Sequence, residues 1–196
     1  EIPPLPPPAQ GEGQRRAGLM ASAGHEEGHK ILNPFSGSSP VPGRKTFLIV
    51  GSSGVGKLVL SKALSSESKG RHVMTSPGLP LDDKDLPQTP IDFLVLMVSM
   101  RSAGSLQVAS RALEFVDSNF LLGRIALVIT HADDPGVTPV SMRDVRRIAD
   151  SWHLPVVCGG VGNAASTASL ASSILRLSKS TETGLLMSTF DLDIMF

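Results

Sequence analysis

The chain has 196 residues, enough for one domain of ordinary size and a tail. Its 18 Lys and Arg residues balance 18 Asp and Glu residues, so a general electrostatic attraction to nucleic acid or to an acidic membrane is not expected. Cys158 is the only cysteine, which excludes an intramolecular disulfide, and no apolar run approaches the roughly 20 residues that span a bilayer. No histidines and cysteines stand at zinc-ligand spacing, so we predict no metal site. From the balanced charge, the single cysteine and the short apolar runs, we predict a soluble intracellular protein without direct contacts to DNA or membrane.

Both ends of the chain differ from its middle in residue composition and apolar pattern. Residues 1–43 are rich in Pro, Gly, Ser and charge and show little apolar periodicity, so we predict that this N-terminal extension is disordered. Residues 44–180 are expected to form the domain. Residues 181–196 form an apolar tail that either docks on a partner or folds back on its own domain, and the sequence leaves both open.

Within the domain, strand-like and helix-like segments alternate. The strand patterns cover 46–50, 72–74, 91–98, 125–129 and 155–158, and the helix patterns cover 57–65, 106–116, 139–152 and 164–177. Ser105 and Pro139 are expected at helix starts. The apolar run from Ile91 to Val98 indicates a central strand that is covered on both faces. The alternation predicts a doubly wound α/β fold, a mostly parallel sheet flanked by helices, with binding groups at the carboxyl ends of its strands.

A phosphate-binding loop follows the first strand pattern and is the most informative motif. The run from Gly51 to Leu58 matches the Walker A pattern except at its last position, where Leu58 replaces the Ser or Thr whose hydroxyl holds Mg²⁺. Such a loop turns backbone N–H groups toward phosphate, and its lysine adds a positive charge. The same residues also make a tight strand-to-helix connection, so both interpretations stay open. The candidate phosphate-binding residues are Gly51, Ser52, Ser53, Gly54, Val55, Gly56 and Lys57.

The other motifs of a nucleotide-hydrolysing site match this sequence poorly. The acidic run 82–85 lies where an Asp-x-x-Gly segment is expected, but no glycine follows at the right spacing. Thr130-His131-Ala132-Asp133 stands in place of a guanine-reading Asn-Lys-x-Asp motif, which makes Thr130 and Asp133 candidate base-reading residues. Because Asp133-Asp134-Pro135-Gly136 is also a turn signal, we favour a turn there. We expect no bound cofactor, although the loop leaves binding of GTP or GDP open.

The middle of the chain carries a family resemblance. Its segments Ile91-Asp92-Phe93-Leu94-Val95-Leu96-Met97-Val98, Ser105-Leu106-Gln107 and Val116-Asp117-Ser118-Asn119-Phe120-Leu121-Leu122-Gly123-Arg124 strongly resemble the centromere protein M family of the inner kinetochore. The resemblance covers about residues 44–190 in element order. It implies a small-GTPase-like, P-loop fold that acts as a pseudo-GTPase. It also implies a nuclear protein at the kinetochore, a monomeric subunit that binds centromere protein I directly, together with centromere proteins H and K.

The motifs and the family resemblance both indicate that this protein has no nucleotide-dependent switch. A switch needs a segment that is ordered by γ-phosphate and Mg²⁺, and this sequence offers neither a ligand for that metal nor an Asp-x-x-Gly segment. We therefore predict a non-enzymatic scaffold of the kinetochore. The alternatives are an active or nucleotide-binding small GTPase that uses the loop, and an adaptor that holds nucleotide structurally without hydrolysing it.

Overall fold

A five-stranded parallel sheet forms the centre of the protein. The computed structural model describes residues 31–32, 45–67, 70–81, 90–132 and 139–180. The strands are β1 (Lys45–Val50), β2 (Arg71–Ser76), β3 (Phe93–Ser99), β4 (Ile125–Thr130) and β5 (Val156–Cys158). They lie in the order β2-β1-β3-β4-β5, and each described pair of neighbours is parallel. The predicted α/β fold is confirmed, and its architecture is consistent with a small-GTPase-like fold.

Helices cover both faces of this sheet. They are α1 (Lys57–Ser66), α2 (Ala103–Leu113), α3 (Ser118–Leu121), α4 (Met142–Trp152) and α5 (Ala164–Ser180). One core lies between the sheet and the pair α1 and α5, and the other lies between the sheet and α2, α3 and α4. Successive residues of a strand point to opposite faces, which is why β3 is apolar throughout its inner length. No helix in the described part of the chain is long and apolar enough to cross a membrane.

The starts of two helices differ from the sequence prediction. Helix α2 begins after Ser102, and Ser105 is buried inside the helix, where its hydroxyl donates to the carbonyl oxygens of Ser99 and Ser102. Pro139 precedes α4, which is capped by Ser141. A Ser near a helix start is ambiguous because its hydroxyl can cap the helix or bond to a neighbouring strand.

Leu32 joins the core from the N-terminal extension. Its N–H donates to the carbonyl of Phe115 at 2.8 Å, and the N–H of Asp117 donates to the Leu32 carbonyl at 3.0 Å. Its side chain is 7% exposed and packs in the core that α2 covers. The prediction of disorder across 1–43 is therefore wrong at this residue, because one apolar side chain in a polar segment gives no periodic signal. The rest of the extension, apart from Ile31, and the tail 181–196 lie outside the described residues.

Candidate functional site at the carboxyl edge of the sheet

The Gly-rich loop lies at the point where the strand order reverses. From β1, the chain goes first to β2 on one side and later to β3 on the other side. Open α/β sheets bind ligands in the crevice that forms at such a point, beyond the carboxyl ends of the strands. The loop starts at Gly51, directly after β1, and ends at Gly56, the N-cap residue of α1. The structure thus places the loop where a phosphate-binding loop belongs.

Two glycines of the loop are required by packing alone. A Cβ atom on Gly51 would lie 2.8 Å from the carbonyl oxygen of Met97 in β3. A Cβ atom on Gly56 would lie 2.7 Å from Cγ2 of Val161, and Gly56 also has a φ of +97°. Both distances are shorter than real Cβ contacts, so each backbone approaches its neighbour in a way that only glycine permits. These two motif positions therefore have a structural explanation that involves no ligand.

The ammonium group of Lys57 is bound to the loop itself. Its Nζ donates to the carbonyl oxygen of Gly51 and, at 3.0 Å, to that of Ser52. Partial burial lowers the pKa of Lys57 below its ordinary value because removal from water disfavours the charged form. The positive charge that would meet a phosphate is therefore engaged with backbone carbonyls.

The remaining loop side chains offer few ligand groups. Ser53 is exposed and Val55 is buried. The hydroxyl of Ser52 is buried and makes no hydrogen bond with the part of the chain that the structure describes. Leu58 stands where a metal-holding hydroxyl is expected, and its apolar side chain is 68% exposed. Among the described residues, no three His, Cys, Asp or Glu side chains lie where they could hold a metal ion together.

Thr130 is close to the loop but faces inward. Its side chain is fully buried, and its hydroxyl lies 3.5 Å from the carbonyl oxygen of Val55 and 3.4 Å from that of Val98. This hydroxyl links the loop to the strands, which argues against the base-reading role that we considered for Thr130. Asp133 and the acidic run 82–85 lie outside the described residues, so their roles stay predictions.

A polar cluster beside the loop was missed by the sequence analysis. His131 follows β4 with a φ of 59°, in the left-handed region. Its Nδ1 lies 3.1 Å from the hydroxyl of Ser99 and 3.2 Å from that of Thr130. The available signal was positional: Ser99 and Thr130 end neighbouring parallel strands in register, so residues at these strand ends meet.

The contact between Ser99 and His131 has the separation of a nucleophile and its base, but it lacks access to a substrate. Ser99 is only 4% exposed, and its hydroxyl oxygen accepts a hydrogen bond from the N–H of Arg101 at 3.3 Å. A catalytic serine has to reach the reacting carbonyl, which a buried hydroxyl cannot do. The arrangement ties the ends of β3 and β4 together and favours a structural role.

Comparisons with known proteins agree with the family resemblance of the sequence. The family model for centromere protein M (CENP-M) matches residues 29–192. The match begins upstream of residue 44, where we expected the domain to start, and it includes Leu32. The chain is also 29% identical over 150 residues to centromere protein M of Danio rerio, an alignment that covers 75% of this chain and 80% of the relative. The chain therefore belongs to the centromere protein M family, and it is a nuclear protein of the centromere and kinetochore.

Proposed function

We propose that this protein is a non-enzymatic scaffold of the inner kinetochore, a pseudo-GTPase that binds centromere protein I directly and assembles with centromere proteins H and K. Its role is kinetochore assembly and chromosome segregation. The observation that carries the proposal is the loop, which keeps the backbone turn of a nucleotide site but has an exposed Leu58 at the metal-binding position.

In the described residues 76–81, no carboxylate follows the end of β2 beside the loop. The N–H of Gly51 donates to the carbonyl oxygen of Ser76, the last residue of β2, at 3.2 Å. Pro77 and Gly78 follow, and the Ser76 hydroxyl donates to the carbonyl of Gly78. A switch needs a segment that γ-phosphate and Mg²⁺ order and that hydrolysis releases. Residues 76–81 supply no carboxylate for such a contact, which supports a constant binding surface.

The rigidity of the sheet also suits a scaffold. All residues of β3 and β4 are buried, and α1, α5, α2 and α4 pack against both faces of the sheet. Closely packed interiors resist gradual deformation. A partner that binds the helices packed on this sheet would therefore meet a surface that both cores support.

Co-elution tests the scaffold proposal. The full chain is mixed with a complex of centromere proteins I, H and K and separated by size-exclusion chromatography. We expect one peak that contains all four proteins, and we expect the same peak for Lys57→Ala and for the exposed control Lys62→Ala. Failure of the wild-type chain to co-elute would overturn the proposal, and loss of binding in Lys57→Ala alone would show that the loop takes part in partner binding.

A second candidate function is structural binding of a nucleotide without turnover. The observation that favours it is the Ser52 hydroxyl, which is buried in the loop without a hydrogen-bond partner in the described part of the chain. Isothermal titration with GTP, GDP and ATP, with and without Mg²⁺, distinguishes this candidate from the scaffold alone. Binding at micromolar strength that is lost in Lys57→Ala, with no phosphate released from GTP, would establish it, and the absence of heat in all titrations would remove it.

A further inference from the structure

A groove between α1 and α5 is open along part of its length. It has a volume of about 650 Å³, and its lining includes Val59, Ala63, Val161, Ala164 and Ala168. Small side chains predominate among these residues, so another chain segment can approach the two helices closely. We call this depression the α1/α5 groove.

Contacts at both ends define the length of the groove. At one end, Gly56 lies against Val161 so closely that no Cβ atom fits between them. At the other end, the hydroxyl of Ser172 lies 3.5 Å from a carboxylate oxygen of Glu67. The segment before α1 thus touches the segment before α5, the residue after α1 lies beside α5, and the groove is the depression in the surface between these two contacts.

Apolar surface at the start of α1 is uncovered. The large apolar side chains that are exposed in the described part of the chain are Ile31, Leu58, Val59 and Leu122. Two of these four lie next to each other in the first turn of α1, and Val59, which is 45% exposed, lines the groove. These two residues form a small exposed apolar patch at the start of α1.

The tail 181–196 starts at the end of a helix that lines the groove. Half of its residues are apolar: Leu185, Leu186, Met187, Phe190, Leu192, Ile194, Met195 and Phe196. In Phe190-Asp191-Leu192-Asp193-Ile194 apolar and acidic residues alternate, so an extended segment would turn three apolar side chains to one side and two carboxylates to the other. The family match continues to Leu192, so most of this tail belongs to the matched region.

The tail is also long enough to reach the groove. Along α5, Ala168 lies 12 residues before Ser180, a distance of about 18 Å at the helical rise. Ten extended residues from Ser180 to Phe190 span up to about 33 Å. A tethered segment has an effective concentration in the millimolar range, so a modest contact is enough to hold it. A second copy of the chain fits less well, since stable dimers bury about 1,200–2,000 Å² of surface and this groove is small.

We propose that the tail folds back along α5 and places the apolar side chains of Phe190, Leu192 and Ile194 in the α1/α5 groove. In this arrangement Asp191 and Asp193 face solvent, and Val59 is covered. The groove is then an intramolecular docking site, and the tail is part of the domain surface that partners meet.

Hydrogen exchange on the full chain tests this proposal. The backbone amides of 190–194 are expected to exchange at least about tenfold more slowly than free peptide. In Ala168→Glu, a charge inside the groove is expected to return these amides to free rates, whereas Ser169→Glu, at the exposed neighbouring position on α5, leaves them protected. Because Ala168→Glu could disturb helix packing, Val59→Glu at a partly exposed position serves as a second groove variant. Free exchange rates in the wild-type chain, or protection that survives both groove variants, would overturn the proposal.

A cysteine pair identifies which chain fills the groove. Val59→Cys and Leu192→Cys are introduced together in a Cys158→Ser background and the protein is oxidised at low concentration. We expect an intramolecular disulfide, seen as a monomer that has lost two hydrogen atoms. A covalent dimer as the main product would show that a second copy occupies the groove, and a monomer that keeps both thiols would show that the tail lies elsewhere.

Discussion

At the scale of single residues, Gly54 and Gly56 share a left-handed backbone but differ in their surroundings. Gly54 has a φ of +81° and open space where a Cβ would lie, whereas a Cβ on Gly56 would meet Val161 at 2.7 Å. Gly54→Ala is expected to cost about 1 kcal/mol of unfolding free energy through backbone strain alone. Gly56→Ala adds a steric clash and is expected to cost about 2–4 kcal/mol in total.

Chemical denaturation of both glycine variants checks this difference. A double variant, Gly56→Ala with Val161→Ala, is expected to recover part of the loss because it removes the contacting methyl groups. Equal effects of the two single glycine variants would contradict the packing explanation of the loop.

The partial burial of Lys57 predicts how the unfolding free energy changes with pH. Because burial lowers its pKa in the folded protein, the folded state releases this proton at a lower pH than the unfolded chain. Between the lowered pKa and the ordinary lysine pKa, the unfolded state binds more protons, so this group makes the unfolding free energy rise with pH. Lys57→Met removes that contribution.

Denaturant titrations across the alkaline range test the lysine prediction. The unfolding free energy of the wild type minus that of Lys57→Met is expected to increase as the pH rises toward about 10.4, the ordinary lysine pKa. The same subtraction for Lys62→Met, an exposed lysine of α1, gives the background. A flat or falling difference for Lys57→Met would contradict the burial of this ammonium group.

Some residues of the candidate site could be predicted from the sequence, and others could not. The loop was recognisable because Walker A spacing is local, and the structure puts it after β1 as expected. Thr130 contacts Val98, and His131 contacts Ser99, so both contacts join residues about 30 positions apart. A local sequence pattern gives no information about which way such side chains turn. The bonding of Lys57 to loop carbonyls likewise depends on the three-dimensional course of the backbone.

At the scale of elements, Leu32 adds an isolated β-bridge to Val116 of the domain. Leu32 is buried against the core, whereas its neighbour Ile31 is 60% exposed. Leu32→Ala is expected to lower the unfolding free energy by about 2–3 kcal/mol through lost burial and a residual cavity. Ile31→Ala, the matched control, is expected to change it by less than about 0.5 kcal/mol.

Thermal or denaturant unfolding of these two variants decides whether the N-terminal extension contributes to the fold. Similar, small effects at both positions would mean that the hydrogen bonds of Leu32 to Phe115 and Asp117 do not persist in solution.

Elements with strong local patterns were predicted well. Strands β1, β3 and β4 were predicted within two residues at each end because buried parallel strands are continuous apolar runs. The four-residue helix α3 was missed since it is too short for a period, and its start depends on the Asp117 side chain, which accepts from the N–H of Asn119. Helix α2 was placed three residues late because Ser105 resembles a cap in sequence but bonds to β3 in the structure.

At the scale of the whole molecule, the proposed scaffold role requires a binding surface that does not depend on nucleotide. The sheet and its two cores hold the loop, the polar cluster at Ser99 and His131 fixes the strand ends, and Leu58 leaves the metal position without oxygen. Partner binding should then be insensitive to the nucleotide state, unlike the binding of a switch protein, where ligands shift the population of two conformations.

The most direct test of this claim is the affinity of the full chain for centromere protein I, measured by isothermal titration without nucleotide, with Mg²⁺-GDP and with Mg²⁺-GTP. We predict one Kd that agrees within about twofold across the three conditions, a difference of no more than roughly 0.4 kcal/mol. A tenfold change in Kd between GDP and GTP, or no binding in any condition, would contradict it.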